Sequence, residues 1–369
     1  MKNTEEQFYA IVAPGFESVC ADELKSRLQV PVSIEHGGVT FHGKLRELYL
    51  ANLWSRCASR IVVRLGDFNC RDFPTLYRKA VRLPWGRFLK PGTAIDVRTT
   101  CRQSRLNHSG RIGQTISEAI GKALGTPVSQ QDTPFRQQIL VRLDNDHCQI
   151  SIDSSAERLH RRGYRQQMTP APLRETLAAG CLLQCHWNGD SDFLDALCGS
   201  GTLAIEAAMI AGELAPGRQR VFAFQHWPGY RGNLWQSLLH EAKHQQRTPS
   251  ITITASDQDE QAIHAARTNA KAAGVDQWIH FEQCPYQQQH SSGPQGLWLS
   301  NPPYGERLQQ SQTTPQLLQA LHAHFDANFS GWHGAMILPH PLRGVPAPQL
   351  QFRNGGLPVA LYPLHQPAP

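Results

Sequence analysis

The chain has 369 residues, 40% hydrophobic and 18% charged, with 8 Trp, 14 Phe and 8 Tyr. That is enough for two or three packed domains, and it excludes a single small module and a disordered chain. The net charge of +6 is unevenly spread: residues 1–169 hold 25 Lys and Arg against 16 Asp and Glu, while the remainder holds 11 against 14, so the front half is the part suited to a phosphate backbone.

In chain order, FYAIVAP (8–14) reads as a strand, GFESVCADELKSRL as an amphipathic helix and VSIEHGGVTFHG as a hairpin turning at Gly37-Gly38. KLRELYLANLW follows as a helix and RIVVRLGDF as a strand. This β-α-β-β-α-β order predicts a ferredoxin-like domain over 1–68. A second α+β module is predicted over 69–156, from helix DFPTLYRKAV, strand TAIDVRTTC, helix GRIGQTISEAIGKALG and two strands, QILVRLD and HCQISID, about an Asn-Asp turn. Thirteen basic residues stand against three acids between Arg56 and Arg111. The Arg-rich stretch ERLHRRGYRQQMTPAP (157–172) lacks apolar periodicity and is predicted to be a linker.

Strands alternate with helices over 173–369, which predicts an α/β, doubly wound and mostly parallel sheet. The elements are helix PLRETLAAGCLLQC, strand DFLDAL, helix TLAIEAAMIAG, an irregular Trp-rich insert up to Pro249, strand ITITASD, helix DEQAIHAARTNAKAAG, and strands WIHFEQ and GLWLS. Helix TPQLLQALHAHF, strand GAMILP and the antiparallel hairpin QLQFR-NGG-LPVALY complete it, with Gln-rich loops expected at 283–295 and 309–319. Nine scattered Cys without a CxxC pair fit neither a disulfide framework nor a zinc ribbon. Cys181, Cys185 and His186 lie in an apolar helical run and read as packing residues, so no metal is expected. No apolar run reaches the ~18 residues of a membrane helix and the first residues lack a signal core, so the cytoplasm is the expected compartment.

Two motifs carry chemistry. Asp195-Ala-Leu-Cys198-Gly199-Ser200-Gly201-Thr202 sits between a strand and a helix, where glycines permit a tight turn and the helix start offers free N–H groups to a nucleotide-like cofactor. A nicotinamide site would want an acid ~20 residues after the glycines. Here the next strand-end acid is Asp257, suited to a ribose, which disfavours hydride transfer. Asn301-Pro302-Pro303-Tyr304 follows strand GLWLS at the carboxyl edge of the sheet. The prolines fix the backbone so that the Asn301 side-chain oxygen and the Pro302 carbonyl can converge on one exocyclic amine, with Tyr304 as a flat face for its base. An aromatic amine is a poor nucleophile, and two acceptors on its hydrogens align its lone pair with an electrophilic methyl.

PLRETLAA, DALCGSGTLAIEAA, APGRQRVFAFQHWPG, ASDQDEQAIHAARTNAKAAGV and NPPYGERL, in that order, resemble the THUMP-domain, class I S-adenosylmethionine-dependent RNA guanine-N2 methyltransferases, and within them the bacterial 23S rRNA branch. VAPGFESVCADEL and LHRRGYR extend the likeness to the front half. The resemblance implies a ferredoxin-like plus THUMP region before a Rossmann-like methyltransferase domain. It implies that Asp195, Cys198, Gly199, Ser200, Gly201, Thr202 and Asp257 line S-adenosyl-L-methionine and that Asn301, Pro302, Pro303 and Tyr304 hold the target base. Arg174 and Glu175 would help close the site, and Arg98, Arg102, Ser104, Arg105 and Arg111 would grip structured RNA. The large enzyme of some bacteria carries a second methyltransferase half, and 369 residues are expected to hold the guanine-N2 half alone.

Two positions depart from the family. IHFEQCPY has Pro285 where an adenine-binding acid is common, leaving Glu282 or Gln283 to substitute, and Ala196 replaces the usual Pro after Asp195. Other readings are guanine-N2 methylation of tRNA, adenine-N6 methylation of DNA, and an rRNA-binding assembly factor with a decayed cofactor site. A THUMP-like front half favours RNA over DNA. Trp and Phe of FAFQHWPGYRGNLW are candidates for a pocket wall or for simple core.

Overall fold

A computed structural model describes residues 5–129, 131–167, 173–303, 314–342 and 345–364. The front half opens with β1 (Glu6–Ile11), α1 (Glu17–Leu28), β2 (Val32–Glu35), β3 (Gly38–Gly43), α2 (Leu45–Trp54) and β4 (Arg60–Asn69), the order read from the sequence. α3 (Phe73–Val81) follows, N-capped by Asp72, whose carboxylate accepts the Thr75 N–H at 2.7 Å, with Pro74 in the first turn. β5 (Ile95–Arg102), α4 (Ser109–Leu124), β6 (Gln137–Asp144) and β7 (His147–Asp153) complete this half.

The two small modules share one seven-stranded sheet, in the order β2-β3-β1-β4-β7-β6-β5. The ten-residue β4 makes this possible: it pairs antiparallel with β1 and, through a bulge between Arg64 and Gly66, with β7. α4 packs on the face that carries Val97, Ile139 and Val141. Strand alternation therefore turns Asp96, Arg98 and Gln138 toward the other face.

The second half contains α5 (Glu175–Gln184), β8 (Asp192–Asp195), α6 (Thr202–Ala211), α7 (Gly232–His244), β9 (Ile253–Asp257), α8 (Glu260–Ala273), β10 (His280–Gln283) and β11 (Gly296–Ser300). It ends with α9 (Thr314–Asn328), β12 (His333–Pro339), β13 (Leu350–Asn354) and β14 (Leu357–Pro363). The sheet order is β10-β9-β8-β11-β12-β14-β13, with β14 antiparallel to both of its neighbours and the remaining pairs parallel. β8 and β11 are adjacent although the chain runs outward from them in opposite directions. The crevice beyond their carboxyl ends is thus the switch point where such sheets bind ligands.

Two expectations need correction. The insert before Pro249 is not wholly irregular: α7 occupies 13 residues of it, because Leu234, Trp235, Leu238, Leu239 and Ala242 recur at helical spacing. Its aromatic residues are core. Tyr49 of α2 stacks on Phe224 at 4.3 Å, and Trp235 stands edge-on to Tyr49, Phe222 and Phe224 at 5.9, 5.5 and 5.3 Å, joining the two halves. The second Gln-rich patch is helical from Thr314 onward.

The stretch expected as a linker has no helix or strand over its described part, and it is packed as a bolt. Leu159, Arg162 and Tyr164 are buried. Arg162 Nε lies 3.5 Å from Glu206 Oε1 and its Nη2 donates to the Arg56 carbonyl at 2.7 Å, while the Tyr164 hydroxyl donates to Glu206 Oε1 at 3.1 Å. Glu206 is the single acid of an otherwise apolar, wholly buried α6, so a buried charge has to be met from outside that helix.

Candidate active site

The loop between β8 and α6 is anchored from three sides. The Ala196 N–H donates to Ser300 Oγ at 3.0 Å, the Cys198 N–H to the Ser256 carbonyl at 2.9 Å and the Gly199 N–H to Asp257 Oδ2 at 3.0 Å. Gly201 sits at φ +80°, and a Cβ there would lie 2.9 Å from the Ala266 Cβ on α8, so both conformation and close helix packing demand glycine. As N-cap of α6 it supplies no side-chain cap, which leaves the first N–H groups of that helix turned to the crevice. The Ser200 carbonyl accepts Asn269 Nδ2 at 3.0 Å, and Thr202 Oγ1 accepts Arg165 Nη2 at 3.1 Å.

Asp195 is 1% exposed. Burial pushes its carboxyl up to about 7, against the pull of the Ser300 hydroxyl and the Leu197 N–H and with a further push from Asp257. Asp257 is raised as well, chiefly by burial, and its Oδ1 accepts the Asp259 N–H at 3.0 Å. Burial also raises the Cys198 thiol well above its ordinary value, which leaves it neutral. At the departure from the family pattern, Gln283 lies beside Asp257 in the β10–β9 ladder. Glu282 Oε2 accepts Gln289 Nε2 at 2.7 Å, and Pro285 begins a short 3-10 turn.

Asn301 and Pro302 extend directly from the fully buried β11, at the end of the sheet next to Asp195. Asn301 Oδ1 is buried and has no hydrogen-bond partner among the described residues. A buried carbonyl oxygen left without a donor costs about 1–3 kcal/mol, which a ligand N–H would recover. Pro302 is buried and Pro303 exposed, while Tyr304 lies outside the described residues.

The Arg residues expected to grip RNA do not form one cluster. Arg98, on β5, pairs with Asp96 at 3.2 Å and lines a cleft against the linker. Arg102 ends the same strand, and Ser104 and Arg105 follow it, the Arg105 N–H donating to Asp146 Oδ1 at 2.7 Å. Arg111 lies 4.2 Å over the Phe73 ring at the start of α4. Arg174 is the N-cap of α5, and the Glu175 carboxylate accepts Arg165 Nε at 2.9 Å. Sequence reasoning missed Arg165, Asn269 and Ser300, which hold the loop rather than line it. Ser300 directly precedes the Asn-Pro-Pro motif, which was the available signal.

The fold, the anchored Gly-rich loop and the Asn-Pro end of β11 define a methyltransferase of the Rossmann-like class, preceded by a ferredoxin-like and THUMP region. Family models match in the same order: an RlmL ferredoxin-like domain over 7–62, a THUMP domain over 70–153 and an RMKL-like methyltransferase domain over 162–341. The Synechocystis sp. protein slr0064, provisionally named an RNA methyltransferase, is 32% identical over 97% of this chain and 96% of its own. The ribosomal RNA large subunit methyltransferase K/L of Syntrophotalea carbinolica is 34% identical over 91% of this chain and 49% of its own, so the chain spans about half the length of that relative. The crystal structure of SMU.472, provisionally named a methyltransferase and complexed with SAH, aligns at a TM-score of 0.86 and 30% identity over 98% of both chains. The chain belongs to this family of THUMP-bearing methyltransferases.

Proposed function

We propose that the protein moves a methyl group from S-adenosylmethionine to the exocyclic N2 amine of a guanosine in RNA, with 23S rRNA as the first candidate substrate and the cytoplasm as its compartment. The observation that carries this reading is the buried Asn301 Oδ1 at the end of β11, beside the loop of Asp195 and without a donor among the described residues. The names of slr0064 and of the K/L relative support RNA and large-subunit rRNA respectively. The units expected from the sequence, 1–68, 69–156, 157–172 and 173–369, belong to the same proposal.

The residues fit the cofactor. The uncapped start of α6 and the glycines at φ +51° and +80° make room for its methionyl part. Asp195 is buried with no cation beside it among the described residues, a counter-charge for an ammonium, and Asp257 keeps free acceptor capacity for ribose hydroxyls. Cys198 contributes packing as a neutral thiol, and Glu282 offers a carboxylate near the ribose side through the β10–β9 ladder. When bound, the cofactor supplies an electrophilic methyl on a sulfonium. Asn301 Oδ1 and the Pro302 carbonyl accept the two amine hydrogens, hold the lone pair in line and take up positive charge as it develops. No strong base is required before transfer, since the methylated ammonium is acidic enough to lose its proton to these acceptors or to water. Tyr304 supplies a face on which an unstacked base can rest.

The test is nucleoside mass spectrometry after incubating the protein with S-adenosylmethionine and, separately, unmodified 23S rRNA, tRNA or DNA. N2-methylguanosine in rRNA alone is the expected result. The same product in tRNA alone would move the substrate, methyladenine in DNA would overturn the reading, and no product despite RNA binding would point to an assembly factor.

A further inference from the structure

A cleft of about 820 Å³ runs between the open face of the front sheet and the linker, and both halves contribute to its walls. Arg136 enters from the start of β6, Arg158 and Arg161 from the linker and Arg174 from the head of α5. The acids on its walls are already engaged: Asp96 by Arg98 at 3.2 Å, Glu157 by Arg161 at 3.2 Å, and the buried Asp153 by Arg60. Arg158 and Arg174 have no carboxylate partner among the described residues and are exposed. Arg136 is held by backbone oxygens of Gln131 at 3.0 Å and Ile95 at 2.9 Å, and no carboxylate pairs with it among the described residues.

Cations this close repel unless an anion sits among them. The field is strong enough to register on His160, whose pKa falls to about 4 through burial first and then through Arg174, Arg158, Arg162 and Arg161. An adjoining cleft of about 430 Å³ shares His160, Arg161 and Arg174 and reaches Arg165. Because Arg165 binds Thr202 at the head of α6, the basic track ends at the cofactor loop. Phe135 also lines the large cleft, with one ring face stacked on the exposed His226 at 4.0 Å and 15°. Arginines beside a flat aromatic face suit unpaired nucleotides, whose bases can leave the stack, whereas a duplex hides its bases.

We infer that this cleft holds a single-stranded stretch of RNA, with phosphates along Arg136, Arg158 and Arg174 and one base stacked on Phe135. The inference rests on the RNA reading above and deepens it, since it states which RNA form spans the two halves and which residues carry it into the site.

Fluorescence anisotropy of the full chain with a short labelled unpaired oligoribonucleotide, and with a hairpin duplex of equal length, tests this. The strand should bind about tenfold or more tighter than the duplex, and Arg136→Glu and Arg158→Glu should each weaken it about tenfold and flatten the salt dependence by about one unit of slope. Phe135→Ala should weaken strand binding about tenfold and leave duplex binding unchanged. Lys122→Glu, an equal charge reversal on α4 across the sheet, should change neither. Titration with S-adenosylhomocysteine should be unaltered in all four variants, which shows them folded. Tighter duplex binding, or Arg136 and Arg158 variants that behave like Lys122→Glu, would overturn the inference. Cleft-dependent strand binding without any methylated nucleoside would instead uphold the cleft and defeat the enzymatic reading.

Discussion

Glu206 and Asp195 are both almost wholly hidden from water, and they are treated in opposite ways. Glu206, inside α6, is met by Arg162 and the Tyr164 hydroxyl and bolts the linker to the methyltransferase half. Asp195, at the end of β8 and only one loop away, has no cation beside it among the described residues, and burial lifts it to about 7. Equal burial therefore says little about role. The partner set differs: Glu206 faces a cation through one oxygen while its Oε2 has no partner among the described residues, whereas Asp195 has hydrogen-bond donors but no cation.

The largest effect expected from this contrast is on folding. Arg162→Met strands Glu206 and should lower the unfolding free energy by about 3–5 kcal/mol, read from the urea midpoint, and adding Glu206→Gln should restore much of it. A single variant as stable as the parent would show that the bolt is dispensable. Next comes the cofactor loop. Asp257→Ala removes the acceptor of the Gly199 N–H and the proposed ribose contact, and should weaken S-adenosylhomocysteine binding about 10–100-fold by calorimetry with little change in unfolding.

The smallest effect is the most diagnostic of pairing. The Asp195 carboxyl is raised from 3.8 to about 7, so the fold disfavours its ionised form, and its contribution to stability falls as pH rises through that window. Asp195→Asn should therefore gain stability relative to the parent between about pH 4 and about pH 7, as followed by thermal melts. Ligand affinity of the parent should climb about tenfold between about pH 6 and about pH 8 and stay flat in the variant. Parallel pH profiles would remove Asp195 from the ligand's counter-charge.

Much of the second half was legible because its signals are local. GSGT lies between a strand and a helix, and Asn301-Pro302 follows a continuous apolar strand, so chain order alone sets both at one sheet edge. What stayed hidden is non-local. The pairing of β4 with β7 joins residues some 80 positions apart through a bulge, which no periodicity announces. Arg60, Arg136, Arg158 and Arg174 come from four segments and become one cleft only after the sheet and linker pack. Nothing in the linker's pattern marks which of its arginines is buried, whereas the structure sets Arg162 against the one acid of α6. The insert's rings, open between pocket wall and core from the sequence, pack against Tyr49 from the other half.

The central claim is that Asn301 acts on the target amine and not on the cofactor. It is tested most directly by measuring methyl transfer to RNA and S-adenosylhomocysteine binding on one preparation of Asn301→Ala. Transfer should fall by about 10²–10³-fold or more while ligand affinity stays within about twofold of the parent. Loss of ligand binding in proportion to loss of transfer, or transfer that survives the substitution, would contradict it.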